Sequence, residues 1–292
     1  MILLAEAWRR RGRLRSLRGH RIFTIDIPAA GIEVHPPLLV LHGFPTSSFD
    51  FHRVVDRLAE DRRVLLFDML GYGLSDKPDL AYTFDLQADI AMALLADLGV
   101  ARLGLLTHDV GDTVGGELLA RHLEGGWTVE ITDRVMTNGS IYQRLVHLSV
   151  GQEFLLALPD QKLPVDAALD RAAVLAGVAA TFSPATAVDD DELAAQWEMI
   201  AHSDGHLLLP RLIRYIEERR RHESRYTGAI EAHPSPLVVV WGADDPIAVP
   251  AMTDALVHAR PDLRLHLLDG VGHYPMVEAP DRLVDALLGA TP

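Results

Sequence analysis

The chain has no cysteine. Disulfides, thiolate metal sites and a cysteine nucleophile are therefore all excluded. It also lacks any apolar run near the roughly 20 residues that a membrane-crossing helix needs. Its opening, "MILLAEAW", is short and has no basic start of the kind a secretion signal carries. Positive charge is scarce, with 27 Lys and Arg against 41 Asp and Glu and a formal charge of −14 at pH 7. Phosphates would be repelled by such an average surface, which argues against nucleic acid or an anionic membrane as a nonspecific partner. There is no internal repeat and no low-complexity tract. A cytoplasmic, soluble protein is the expectation. One segment departs from the acidic balance, "WRRRGRLRSLRGHR", and reads as a solvated N-terminal helix and turn leading into the strand "RIFTIDI". A surface anchor is the competing reading of that segment.

What is present suits a globular enzyme. The 292 residues are 49% hydrophobic, enough for one large core or a core with an insertion. "PLLVLHG", "RVLLFDM", "RLGLLTH" and "DRVMTNG" are nearly continuous apolar runs, as expected of strands in a parallel sheet covered on both faces. Helical patterns lie between them. From about Ile141 to Ala232 only helical patterns occur, after which "SPLVVVWGADDP" resumes the strands. The predicted architecture is α/β, a mostly parallel doubly wound sheet with an inserted helical cap. The core would span 1–140 and 233–292, and the cap 141–232.

In such sheets ligands sit beyond the C-terminal ends of the strands. Four groups of residues fall on that rim. In "THDVG", Asp109 lies between Thr107 and Gly111, a small-x-acid-x-Gly spacing suited to a tight strand-to-helix elbow. The N-terminus of the following helix favours an ionised carboxylate there, and an ordinary helix-capping role is the alternative. Asp112 reads as an acid of the first helical turn. In "GADDP", Asp245 is preferred to Asp244 as an orienting acid. In "DGVGHYP", His273 completes the chain order nucleophile, acid, histidine. "HGFPTSS" follows the first central strand. Its expected work is done by backbone, with the N–H groups of Phe44 and Val110 forming an oxyanion hole while His42 and Pro45 shape the loop. No His/Asp cluster has metal-ligand spacing, so neither a metal nor an organic cofactor is required.

These residues resemble the α/β-hydrolase superfamily, in its epoxide hydrolase and haloalkane dehalogenase branch. "HGFPTSSFDF", "GYGLSDKP", "HDVGDTVGGELL", "TNGSIY", "HSDGHLLLPRLIRYIEERRR" and "GHYPMVEAP" are similar to the mesoderm-specific transcript proteins within it. The resemblance covers most of the chain and implies the α/β-hydrolase fold and an Asp109–His273–Asp245 triad. Asp109 would attack a saturated carbon to give an alkyl ester, and His273 would activate the water that hydrolyses it.

The leaving group follows from what surrounds the attack. Dehalogenases of the branch usually place tryptophan after the nucleophile and asparagine in the HGxP loop, where this chain has Val110 and Phe44. Trp197 is the cap tryptophan that could enter the pocket; otherwise it is a core residue of a cap helix. An epoxide needs an acid for its oxygen, and Tyr215 matches the ring-opening tyrosine of similar epoxide hydrolases. A second cap tyrosine is missing from "VGQEFLLALPD", with Tyr142 the nearest candidate. The expected function is hydrolysis of an apolar small molecule, an epoxide first, a haloalkane or haloacid second. The third reading is a hydrolase-like scaffold that binds with little turnover. A homodimer is compatible with all three.

Overall fold

The computed structural model describes residues 3–289. Eight strands form one sheet in the order β1-β2-β4-β3-β5-β6-β7-β8. They are β1 (Gly12–Leu17), β2 (His20–Ile27), β3 (Leu38–Leu41), β4 (Val64–Phe67), β5 (Arg102–His108), β6 (Glu130–Thr137), β7 (Leu237–Gly242) and β8 (Arg264–Leu268). β2 runs antiparallel to both β1 and β4, and every other pairing is parallel. β3, β4 and β7 are buried throughout, as their unbroken apolar sequences require of strands covered on both faces.

The helices before the cap region are α1 (Leu3–Arg11), α2 (Val55–Leu58), α3 (Phe84–Asp97) and α4 (Val110–Leu123). Between β6 and β7 come α5 (Val150–Ala157), α6 (Arg171–Ala179), α7 (Asp190–Ala201), α8 (Leu209–Leu212) and α9 (Tyr215–Ala232), with no strand among the described residues of that stretch. The chain closes with α10 (Ala251–Ala259), α11 (Pro275–Glu278) and α12 (Pro280–Leu288). None of the described helices is long and apolar enough to cross a membrane. The second half of α9 lies directly on α4: a Cβ on Gly116 would fall 2.8 Å from the Tyr226 carbonyl oxygen. Arg225 of α9 reaches Glu117 of α4 and Glu124, the residue that ends that helix. That part of the helical stretch thus belongs to the layer covering the sheet. By contrast, α7 docks on the loop that follows β3, through Arg53–Glu192 at 2.9 Å and Gln196–Asp50 at 2.8 Å.

The basic segment is not the helix and turn expected from its sequence. It forms α1 and then an edge strand, β1, which pairs with β2 across the two-residue turn Arg18–Gly19. Both turn residues have positive φ, 52° and 84°, the geometry that suits a tight hairpin in a twisted sheet. Four of its seven arginines meet the acidic body: Arg11 pairs with Asp56, Arg15 with Asp97, Arg18 with Asp89 and Arg21 with Asp76. Local charge complementarity within the fold therefore accounts for a basic run in an acidic chain.

Candidate active site

The chain order of β3, β4 and β5 reverses direction in the sheet at β3, so a crevice opens between the ends of β3 and β5. Two sequence motifs meet there. The loop after β3 carries His42–Pro45, and the turn after β5 carries Asp109. Asp109 has φ 48° and ψ −109°, a conformation that non-glycine residues rarely adopt and that marks a tight elbow. Its two flanking approaches leave no room for side chains. A Cβ on Gly111 would lie 2.4 Å from the Leu41 carbonyl oxygen, and one on Gly43 would lie 2.8 Å from the Asp109 Cβ.

The Asp109 side chain does not cap its own helix. It turns instead to the β3 loop, where the Phe44 N–H donates to Asp109 Oδ2 at 2.9 Å. His42 works as a loop former, as its position suggests. Its Nε2 accepts the Met69 N–H at 3.0 Å, and its Nδ1 faces the Gly43 carbonyl at 2.8 Å. Both ring nitrogens are committed to backbone, and burial pushes the imidazole below its ordinary pKa.

Past β7, Asp244 is exposed, whereas Asp245 is buried. Four groups surround the Asp245 carboxylate. Oδ1 accepts the N–H groups of Ile247 and Ala248 at 2.8 and 2.9 Å. Oδ2 takes the His273 Nδ1 and the Asn138 Nδ2, both at 2.7 Å. Burial alone would lower the His273 pKa, but the charge and hydrogen bond of Asp245, followed by the charge of Asp109, outweigh it and lift the imidazole to about 9. Its Nε2 has no partner among the described protein groups.

His273 and Phe44 both line a cavity of about 630 Å³ between the sheet and α5 and α6. Pro45, Gln152, Leu155, Val174, Ile247 and Tyr274 complete much of its wall. Other polar wall residues at the ends of α5 and α6 are engaged close by in the chain. Ser149 and Asp170 cap helices, and Thr181 bonds the Val178 carbonyl. A smaller cavity of about 270 Å³ borders the opposite ends of the strands, near Leu38, Arg102 and Arg134, and holds none of these groups.

Tyr215 is buried at the start of α9, with its ring 5.5 Å from that of Phe44. It sits one contact behind the cavity wall, which Phe44 and Gln152 form in front of it. Burial, then the Asp109 carboxylate, raise its pKa, while Arg219 acts against them. The Arg219 guanidinium carbon stands 5.0 Å from the Tyr215 ring centre.

Two expected pocket residues lie elsewhere. Trp197 packs on His206, with ring centres 5.5 Å apart, and does not line the cavity, because its face of α7 turns to neighbouring helical segments. Tyr142 donates its hydroxyl to Glu231 at 2.7 Å and is also absent from the wall. Three site residues were not singled out in the sequence. Asn138, just past β6 with φ 47°, holds Asp245 while its Oδ1 accepts the Gly242 N–H at 2.9 Å. His108 is buried with its ring 4.8 Å from that of His273, and burial pushes it well below its ordinary pKa. Gln152 reaches the Tyr215 hydroxyl, and the signal for its placement was available in the spacing Ser149-x-x-Gln152 that opens α5.

Asp112 is more than a first-turn acid. It is buried, Thr107 donates to its Oδ1, and its Oδ2 has no partner. Burial pushes its pKa well above the ordinary value, with the Asp109 charge adding to the shift. The unfolded chain gives up this proton near pH 3.8 while the folded chain keeps it, so folding loses stability as pH rises above that point. Asp112→Asn is therefore expected to gain stability relative to the parent as pH increases. Urea midpoints at pH 6 and pH 9 measure this, and parallel behaviour of the two proteins would refute it.

Comparisons with known proteins bear on the fold and the family. Residues 36–280 match the family model described as alpha/beta hydrolase fold. A putative hydrolase, LipZ, of Mycobacterium tuberculosis is 38% identical over 255 residues, covering 87% of each chain. The mesoderm-specific transcript protein of Mus musculus is 32% identical over 293 residues, covering 97% of this chain and 87% of its own. Among solved structures, an alpha/beta hydrolase fold protein from Burkholderia ambifaria superposes with a TM-score of 0.74 at 27% identity, covering 95% of this chain and 97% of that one. The chain belongs to the alpha/beta hydrolase fold family and is a hydrolase of that superfamily.

Proposed function

We propose that this hydrolase works through an aspartyl ester, with Asp109 as nucleophile and an apolar epoxide as substrate. The observation that carries the reading is the attitude of Asp109. It occupies a strained elbow, leaves its own helix uncapped, and offers its carboxylate to the Phe44 N–H. Asp109 Oδ2 is held by Phe44, which leaves Oδ1 to attack a ring carbon. The carbon–oxygen bond breaks, and the departing oxygen takes the Tyr215 proton. His273, oriented by Asp245, then removes a proton from water, and the hydroxide adds to the ester carbonyl carbon. The carbonyl oxygen at that stage is Oδ2, so the Phe44 N–H already faces the atom on which charge develops. One such donor is worth about 3 kcal/mol. Collapse releases the diol, whose oxygen takes the proton from His273. Asp109 returns its remaining proton, through solvent, to the Tyr215 oxygen.

The chemistry also gives His273 a reason for its timing. Esterification removes the Asp109 charge, one of the influences that hold the imidazole at about 9. The base loses its proton more readily once there is an ester to hydrolyse. An uncharged substrate fits the wall, because Leu155, Val174 and Ile247 offer no polar partner and the polar groups beside them are already engaged. Halide displacement is the second reading: its candidate N–H donor, Trp197, packs on His206, and Val110 rather than an indole follows Asp109.

The test is intact-protein and peptide mass spectrometry of His273→Gln after incubation with apolar epoxides. An adduct on Asp109 with the mass of substrate is the expected result. Absence of any adduct across epoxides and haloalkanes, with the variant folded, would remove the proposal.

A further inference from the structure

Opening an epoxide at this site would leave a negative charge on the Tyr215 oxygen, which is buried and already feels the charge of the equally buried Asp109. A buried tyrosinate without donors is costly. The structure places two groups against Tyr215: Arg219, over the ring, and Gln152, whose Nε2 donates to the hydroxyl oxygen at 3.2 Å.

The orientation of the Gln152 amide is fixed by the helix it begins. Ser149 Oγ accepts the Gln152 N–H at 3.2 Å, and Gln152 Oε1 accepts the Ser149 N–H at 2.9 Å, a complete capping box at the N-terminus of α5. With Oε1 committed to backbone, the NH2 group has to face Tyr215. That fixes the phenol in turn. Its oxygen accepts from Gln152, so its own hydrogen remains to donate. Gln152 also belongs to the cavity wall, whereas Tyr215 lies behind it.

We propose that Gln152 is a positioning residue for ring opening: it turns the Tyr215 proton toward the departing oxygen and stabilises the tyrosinate left behind. The proposal rests on the aspartyl-ester reading given above. In the step itself, Asp109 Oδ1 forms a bond to carbon, the carbon–oxygen bond breaks, and its electron pair takes the Tyr215 proton. The phenolate oxygen then keeps the Gln152 hydrogen bond, now to a charged acceptor and correspondingly stronger.

Gln152→Glu separates this role from helix capping. Glutamate at the same position satisfies the capping box equally well, but it replaces the N–H donor with an oxygen that repels a tyrosinate. The measurement is single-turnover formation of the Asp109 adduct from styrene oxide by quench and mass spectrometry, in the His273→Gln background, so that the ester persists. Ester hydrolysis is measured separately, with His273 present. The expected result is adduct formation slowed about 100-fold or more, with the hydrolysis rate constant and melting temperature close to those of the parent. Gln152→Leu, which loses both donor and cap, is expected to slow adduct formation as well and to lower the melting temperature. Unchanged adduct formation in Gln152→Glu overturns the proposal. So does an equal loss in both half-reactions together with lost stability, since that is the mark of a purely structural residue. If the His273→Gln parent forms no adduct with any epoxide, the aspartyl-ester reading fails first, and this result is distinguishable from both.

Discussion

Asp109→Asn is expected to reduce turnover by about 10⁴-fold or more and to abolish every covalent adduct. Removing one member of a catalytic unit that acts as a whole costs on this scale. The substitution is close to isosteric, and asparagine tolerates positive φ better than most residues, so the elbow at φ 48° should persist. The Phe44 N–H retains an acceptor in the side-chain oxygen. Loss of activity would then report chemistry rather than misfolding, which a cooperative unfolding transition near that of the parent would establish.

The same variant carries a second, quieter consequence. Burial opposes the protonated form of His273, the Asp245 carboxylate supports it, and the Asp109 charge supports it further, with a net pKa of about 9. Without the charge at residue 109 the imidazole should titrate at lower pH. The sign for stability is definite. A histidine raised from 6.5 to about 9 contributes stability that is complete below pH 6.5 and disappears as pH climbs through 9. In Asp109→Asn that loss should still begin near pH 6.5, the value of the unfolded chain, but should finish at lower pH. NMR titration of the His273 ring gives the shift directly, and unfolding midpoints between pH 6 and pH 10 give its energetic counterpart. An unmoved titration would mean that Asp109 and His273 are not electrically coupled, and the ester would have no means of switching the base on.

The parts of this site that were legible in the sequence share one property: they lie at the C-terminal ends of recognisable strands. Asp109 follows β5, Asp245 follows β7 and His273 follows β8. A parallel sheet delivers all such positions to one edge without any knowledge of side-chain packing. Other residues depend on which way a helix face turns or on contacts distant in sequence. Trp197 and Tyr142 are large aromatics in the cap region, but a half-turn decides whether such a residue faces a cavity or a neighbouring helix. Here Trp197 meets His206 and Tyr142 meets Glu231. Asn138 is 107 residues from the Asp245 it holds, and nothing in "TNG" advertises that partner. The strand β1 was hidden for a different reason. Its sequence "GRLRSL" has little apolar content, and the strand forms because β2 gives it an edge and the acidic body gives its arginines partners.

Tyr215→Phe is the substitution that distinguishes an epoxide hydrolase from any other aspartyl-ester hydrolase built on this site. Ring opening without a proton donor must expel an alkoxide, so the rate of adduct formation from an epoxide should fall by about 10² to 10⁴-fold. Ester hydrolysis, which the proposed mechanism assigns to His273, Asp245 and the Phe44 N–H, should be nearly unaffected. The variant should also fold. The hydrogen bond of the Tyr215 oxygen to Gln152 spans 3.2 Å, and leaving that amide unpaired costs about 1 to 3 kcal/mol. Burial and the Asp109 charge both raise the Tyr215 pKa, so the phenol holds its proton across the physiological range and imposes no acidic or alkaline limb there. The effect should therefore be the same at pH 6 and pH 8. A halide departs as a stable anion and needs no proton. Haloalkane turnover by the parent that survives in Tyr215→Phe, while epoxide opening is lost, would identify the tyrosine as an acid. Epoxide opening at an undiminished rate would show that the departing oxygen finds its proton elsewhere and would remove Tyr215, with Gln152 behind it, from the mechanism.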